Sequence, residues 1–233
     1  MKGATARQLP LNIELRDETT LDNFLPSDSA KPLLDAVQRQ LAEGGEAFLY
    51  CYGAKDTGKT HLLQGACHLA GESSLYLPLA DLGSYPPHEV LQDMENLKLV
   101  CVDDIDSVLG DADWELELFH FFNRAREKRC QLFFGGSAAP RELAAELPDL
   151  QSRLTWGEVY QLDSASDDTK HEILRFRAQR LGLEMPAEVA RYIVSRAPRA
   201  LSSLLSLLRD LDIASLAHKR PLTVPFVKEQ LGW

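Results

Sequence analysis

Hydrophobic positions along the chain follow two different rules, and the change between them divides the protein. Ala47 to Tyr52 is a continuous apolar run that stops at Gly53. A run of this length with no polar alternation predicts a strand buried on both faces of a parallel sheet. Similar short runs predict strands over 74–79, 97–102, 131–134 and 159–162. Between them the period lengthens. Leu33, Leu34, Val37 and Leu41 recur at helical spacing after Pro32, which predicts a helix over 29–42. A second helix is expected over 59–70. A third, over 114–129, sets Leu118, Phe119 and Phe122 on one face and charges on the other. Strands alternating with helices mean a parallel five-stranded sheet with helices on both faces. Beyond residue 163 only the helical period persists. Helices are expected over 170–181, 187–197 and 199–218, with a short one after Pro225; Thr169 and Glu172 suit a capping box for the first. The expected organisation is a flexible tail over 1–19, an α/β domain over 20–162 and a small all-helical domain over 163–233.

Charge narrows the function classes. The 233 residues carry 25 Lys and Arg against 35 Asp and Glu, a net charge of −10. That balance argues against a protein whose main work is coating nucleic acid through phosphate contacts, although a local basic patch remains open. Cys51, Cys67, Cys101 and Cys130 show no CxxC pair or Cys/His cluster and read as small core residues of a reducing cytosol. No leader-like apolar stretch opens the sequence, and no run approaches the roughly 20 apolar residues of a membrane span. The expectation is a soluble, cytoplasmic chain without a membrane partner.

The strongest chemical signal is Gly53-Ala54-Lys55-Asp56-Thr57-Gly58-Lys59-Thr60, followed by His61. It satisfies GxxxxGK[ST] and falls between a predicted buried strand and a predicted helix, the context that this chemistry requires. Glycines let successive N–H groups converge on phosphate oxygens, and the following helix turns its positive end to the same place. Lys59 would reach the terminal phosphates and Thr60 would offer its hydroxyl to Mg²⁺. A glycine turn needed only for packing is the plainer alternative. Against it stands Leu99-Val100-Cys101-Val102-Asp103-Asp104, an apolar strand ending in two carboxylates. Asp103 then suits Mg²⁺ and Asp104 the attacking water. Asp56 lies inside the loop where many phosphate loops use glycine, and a carboxylate close to bound phosphates is unfavourable. Nucleotide binding is therefore expected ahead of hydrolysis, with ADP preferred over ATP. His61 reads as a polar filler beside the loop.

The loop running into Thr60-His61-Leu62-Leu63, together with the Val-Asp-Asp-Ile strand end, resembles the AAA+ ATPase module of the DnaA family over about residues 20–218. Within that family it is most similar to the Hda branch, regulators that partner the DNA polymerase sliding clamp. The resemblance implies a chain without the initiator's helix-turn-helix domain, since the end of the lid, Leu222-Thr223-Val224-Pro225-Phe226-Val227-Lys228-Glu229, looks like that branch. Gln8-Leu9-Pro10-Leu11-Asn12-Ile13 resembles the clamp-binding motif, with Gln8 at the rim and Leu9, Leu11 and Ile13 as apolar anchors; packing back on its own domain is the alternative. Leu150-Gln151-Ser152-Arg153-Leu154-Thr155-Trp156-Gly157 resembles the arginine-finger segment, which gives Arg153 the role of acting on a nucleotide held by a neighbouring subunit. A salt bridge to Asp149 or Glu158 is its bland alternative. Arg199 takes the place of the second sensor, and Ser137 is the polar side chain nearest the first. Leu21 and Phe24 lie in the stretch that would meet the base, or are ordinary core.

The resemblance implies a nucleotide-binding AAA+ regulator that docks on the clamp and stimulates hydrolysis of DnaA-bound ATP, preventing re-initiation. Its partners would be DnaA and the clamp, with DNA reached indirectly and a homo-oligomer possible. An independent ATPase, or a loader or adaptor acting by contact alone, is the alternative. The remaining aromatics, Trp114, Phe119, Phe121, Phe122, Phe133 and Phe134, read as core. Lys170, Arg175, Arg177 and Arg180 read as a solvated helix face.

Overall fold

The computed structural model of the protein describes residues 15–42 and 44–233. It divides after Leu162 into two units, each with its own core. In the first, β1 (Phe48–Tyr52), β2 (Ser74–Pro78), β3 (Leu99–Asp103), β4 (Gln131–Gly136) and β5 (Glu158–Gln161) form one all-parallel sheet in the order β2-β3-β4-β1-β5. The helices are α1 (Lys31–Leu41), α2 (Lys59–Ala70), the single turns α3 (Leu79–Leu82) and α4 (Pro87–Val90), α5 (Ala112–Lys128) and α6 (Pro148–Leu154). Among the described residues no helix is long and apolar enough to cross a membrane.

Side chains alternate across a strand, and both faces of this sheet are covered. Tyr50, Val100, Val102 and Phe134 face a core shared with Trp114, Phe121 and Phe122 of α5. Leu49, Leu99, Cys101 and Phe133 face the opposite core, shared with α1 and α2. This parity fixes the chemistry. Asp103 stands two residues beyond Cys101 and therefore points to the α2 side. Parallel pairing also brings the ends of β1, β3 and β4 to one edge, where α/β sheets bind ligands.

Several local expectations change. Helix α5 begins at Ala112 because Asp111 caps it, its Oδ1 accepting from the N–H groups of Asp113 (3.0 Å) and Trp114 (3.1 Å). Strand β3 runs on to include Asp103. Residues 15–19, read in the sequence as tail, lie against α2: Thr19 is buried, and its Oγ1 donates to Gln64 Oε1 at 2.7 Å. In the second unit, α7 (Asp167–Arg180), α8 (Ala187–Arg196), α9 (Leu201–His218) and α10 (Val224–Leu231) enclose Leu174, Ile193, Leu208, Leu211 and Phe226. The cap of α7 is Ser166, which accepts from Thr169 N–H at 3.1 Å, so the Thr169/Glu172 capping box does not form and the helix starts three residues earlier. Ser166 wins because its hydroxyl reaches the N–H three residues on, in the geometry a cap needs. The four cysteines are buried and free.

Candidate functional site

The phosphate loop joins β1 to α2 through two residues in the left-handed backbone region. Gly58 sits at φ +98° and Asp56 at φ +65°. Gly58 belongs there, and a Cβ on it would also meet the Phe24 ring at 2.8 Å. Asp56 explains itself the same way, since aspartate tolerates this conformation better than most side chains. Residues 54 and 55 are exposed, and Thr57 Oγ1 donates to Ala54 O at 3.0 Å, tightening the turn. Helix α2 starts with no side chain capping it. Its first N–H groups and its positive end therefore face the loop.

Lys59 is the decisive cation. It is only 9% exposed, and its Nζ donates to the carbonyls of Gly53 (2.8 Å) and Ala54 (2.9 Å). Among the described residues no carboxylate lies within ion-pair distance of it. A buried ammonium held only by backbone carbonyls, at an uncapped helix start, fits an anionic ligand.

Across the sheet edge Asp103 is fully buried. Its Oδ2 accepts from Thr60 Oγ1 at 2.6 Å and Tyr76 Oη at 2.8 Å, and its Oδ1 accepts from Asp104 N–H at 3.0 Å. Gly135 on β4 makes room: a Cβ there would stand 2.8 Å from Asp103 Oδ1. Asp104 turns away from the strand at φ +53°. Burial raises its carboxyl above the ordinary value, Asp103 and Asp106 add to this, and Lys59 pulls the other way. Thr60, Asp103 and Asp104 thus come together beside Lys59. The described residues contain no group of three His, Cys, Asp or Glu suited to a metal. The donors that fit Mg²⁺ here are one hydroxyl and one carboxylate, with the ligand's phosphates completing the set.

Residues 15–24 strap this site from the side of α2. His61 Nε2 pairs with Thr20 O at 2.8 Å, Leu21 packs over Gly65, and Phe24 lies beside His61 with ring centroids 5.4 Å apart. Leu21 and Phe24 are packed against the core on that face, and Phe24 also borders Gly58. Ser137 follows β4, and its N–H donates to Asp106 Oδ1 at 2.8 Å.

Arg153 lies on α6, away from these groups in the chain and held in another way. Its guanidinium stacks on Trp156 at 3.9 Å and stands 5.6 Å from the Phe119 ring, while Arg126 approaches the same indole at 4.8 Å. Trp156 is 46% exposed. Arg153 Nε is buried with no hydrogen-bond partner, and no carboxylate among the described residues pairs with the guanidinium. The expected alternative of a bridge to Glu158 is not found; Glu158 pairs with Arg39 and Tyr160. Upstream, buried Glu115 of α5 accepts from the N–H groups of Gly110 (2.8 Å), Glu146 (3.0 Å) and Leu147 (2.6 Å), pinning the segment that leads into α6. Arg199 lies in the second unit between α8 and α9. Gln8, Leu9, Leu11 and Ile13 fall outside the described residues.

Sequence reasoning passed over Tyr76, Gln64, Glu115 and Trp156 in these roles. Tyr76 and Gln64 lie in ordinary strand and helix patterns. Glu115 carried one signal, a charge at a position of α5 that the helical period places inside.

Comparison with known proteins gives this geometry its relatives. Residues 167–231 match the family model described as Hda, lid domain. Domain III of the replication initiation protein DnaA from Thermotoga maritima is similar at TM-score 0.78 and 22% identity, over 94% of this chain and 98% of that one. AMPPCP-bound DnaA from Aquifex aeolicus gives 0.70 at 22% identity, over 84% and 65%. The Thermotoga maritima RuvB Holliday junction branch migration motor gives 0.68 at 16% identity, over 92% and 71%. At such identities the solved structures speak for the fold, and the lid match speaks for residues 167–231. Residues 167–231 are thus similar to the lid domain of Hda, and the chain as a whole has the fold of DnaA domain III.

Proposed function

We propose that this protein is a nucleotide-binding AAA+ regulator of replication initiation. It docks on the sliding clamp through Gln8, Leu9, Leu11 and Ile13, and it stimulates hydrolysis of ATP bound to DnaA through Arg153, preventing re-initiation. DNA is reached through the clamp, in keeping with the net charge of −10. The observation that carries the reading is the Arg153 guanidinium, which stacks on a half-exposed indole with no carboxylate partner among the described residues. A guanidinium that is half-buried and free of a counter-ion among the described residues suits transition-state charge on another molecule's phosphates.

Its own nucleotide is held by the N–H groups of the loop from Gly53 to Thr60 and by Lys59. Thr60 and Asp103 hold Mg²⁺, which when bound neutralises charge on the terminal phosphates. Phe24, bordering Gly58, is better placed than Leu21 to border the base, and Arg199 acts as second sensor. Asp56 disfavours a third phosphate, so ADP is the preferred resident. The AMPPCP bound to the Aquifex aeolicus neighbour supports an adenine nucleotide.

The test combines purified protein, clamp, duplex DNA and DnaA-ATP. Conversion to DnaA-ADP should accelerate, and Arg153→Ala should abolish the acceleration while leaving clamp binding intact. No acceleration over DnaA alone refutes the proposal. A second reading, an independent ATPase, is favoured by the intact set of Lys59, Thr60, Asp103 and Asp104. It predicts steady phosphate release by the isolated chain, lost on Lys59→Ala.

A further inference from the structure

We infer that Tyr76 is a positioning residue for the Mg²⁺-side carboxylate Asp103, and that Gln64 and Thr19 brace it from behind. The inference rests on the reading of this site as one for a nucleotide with Mg²⁺.

A carboxylate at the end of an aspartate side chain rotates about a broad, two-fold torsion. Without fixed donors it has no single orientation. Around Asp103 the donors are divided unequally. Oδ1 accepts one backbone N–H, that of Asp104 at 3.0 Å, whereas Oδ2 accepts two hydroxyls, Thr60 Oγ1 at 2.6 Å and Tyr76 Oη at 2.8 Å. Two donors on one oxygen, arriving from α2 and β2, define the plane of the group. The Thr60 hydrogen is then committed to Asp103, which turns the Thr60 lone pairs away from the carboxylate and leaves them for a cation. Were the phenol absent, Thr60 alone would hold Oδ2, and the carboxylate and the hydroxyl would be free to turn together.

Tyr76 is itself held. It is only 6% exposed, and it belongs to the same core face as Cys101 and Leu63. A phenol holds its proton at neutral pH, so Tyr76 is the donor and the Asp103 carboxylate the acceptor. Gln64 is buried on α2; its Oε1 accepts from Arg16 N–H at 3.3 Å and shares the single hydroxyl hydrogen of Thr19 with Arg16 O, each acceptor lying 2.7 Å from Thr19 Oγ1. Its oxygen is therefore taken up by the strap, and its side chain also stands close to the Tyr76 phenol. Polar contacts run from residues 16–19 to Gln64, Gln64 stands beside Tyr76, and Tyr76 donates with Thr60 to Asp103. In a low-dielectric interior each member fixes its neighbour. The strap thereby becomes part of the metal-side geometry, although none of its residues touches the phosphate loop through this chain.

The experiment measures ADP affinity of the full chain by titration calorimetry, with Mg²⁺ and with EDTA. For the unaltered protein the ratio of the two dissociation constants is the Mg²⁺ gain. Tyr76→Phe keeps the ring and its packing and removes one hydrogen bond to a charged group, worth roughly a factor of ten. The expected result is a Mg²⁺ gain lower by about that factor with the affinity in EDTA unchanged. A role in packing alone would weaken both affinities equally and would overturn the inference. So would an unchanged or larger Mg²⁺ gain, which would mean that the phenol only drains charge from Asp103. If Tyr76→Phe does not fold, Thr19→Val tests the same chain from its far end, with the same pattern expected at a smaller size; an unchanged gain there overturns the inference as well. Absence of ADP binding by the unaltered protein refutes the nucleotide reading along with it, and is distinguished by having no gain to lose.

Discussion

Two cations in the sheet unit are held in opposite ways. Lys59 is enclosed, its ammonium bonded to the carbonyls of Gly53 and Ala54 and roofed by the loop to which it belongs. Arg153 is half-buried, its guanidinium over Trp156 and bonded, among the described residues, to neither a carboxylate nor a carbonyl of the chain. The difference follows from chemistry. An ammonium makes three compact donors and can be folded inward, whereas a guanidinium keeps a planar fork that an aromatic face supports without using its N–H groups. The first arrangement suits a ligand that stays with this chain. The second suits a charge that arrives on another molecule.

The comparison breaks most sharply under a pair of substitutions. Arg153→Ala should lower stimulated hydrolysis on DnaA on the order of a thousandfold while leaving this protein's own ADP affinity intact. Lys59→Ala should weaken that ADP affinity roughly a hundredfold, by removing charge-assisted bonds to phosphate. Hydrolysis assays and calorimetry on both variants check the double dissociation, and equal loss of both properties in either variant ends it. Glu115→Ala comes next. It leaves three N–H groups without the buried carboxylate that accepts from them, at a cost of about 2 kcal/mol and a fall in Tm of roughly 6 °C. Because those groups belong to the segment leading into α6, stimulated hydrolysis should fall further than ADP affinity. Trp156→Ala should lower stimulated hydrolysis by about fivefold, the size of one half-exposed cation–π contact, with Tm nearly constant. A loss as large as that of Arg153→Ala would show that the indole itself enters the partner's site.

A further effect is alkaline and grows with pH. Burial raises the thiols of Cys51 and Cys101, both on the α2 side of the sheet, and pushes Cys130 up to about 12. A folded value above the unfolded one contributes stability that is complete below the unfolded value and is lost as pH rises towards the folded one. Unfolding should therefore ease progressively above about pH 9, where thiols of the unfolded chain ionise. Thermal melts from pH 7 to pH 11 check this. A Tm that stays level to pH 11 contradicts it.

What was readable in the sequence was what is local. The loop from Gly53 to Thr60 and the Val-Asp-Asp strand end are runs of adjacent residues, so their chemistry is spelled out in order. Strand and helix periods likewise gave the five strands, the long helices and the helical lid. Helix α6 escaped because seven residues starting at a proline contain too few turns to display a period. The cap of α7 was misplaced because Ser166 and Thr169 are both good caps and only the folded backbone decides between them. Tyr76, Gln64 and Glu115 escaped for a deeper reason. Each earns its place through partners 27 to 48 residues away in the chain, and no short window contains both ends of such a contact.

The alternation of β3 has a last consequence. Leu99, Cys101 and Asp103 share one face, and Val100 and Val102 the other. The strand is thus a ruler with two-residue divisions, and its apolar marks set the zero. An insertion of one residue anywhere from 99 to 102 would carry the Asp103 carboxylate to the α5 side and bring Val102 to Thr60, whereas a deletion would put Asp104 in its place. Fidelity of strand register, usually counted as a matter of folding, is here a condition of metal chemistry.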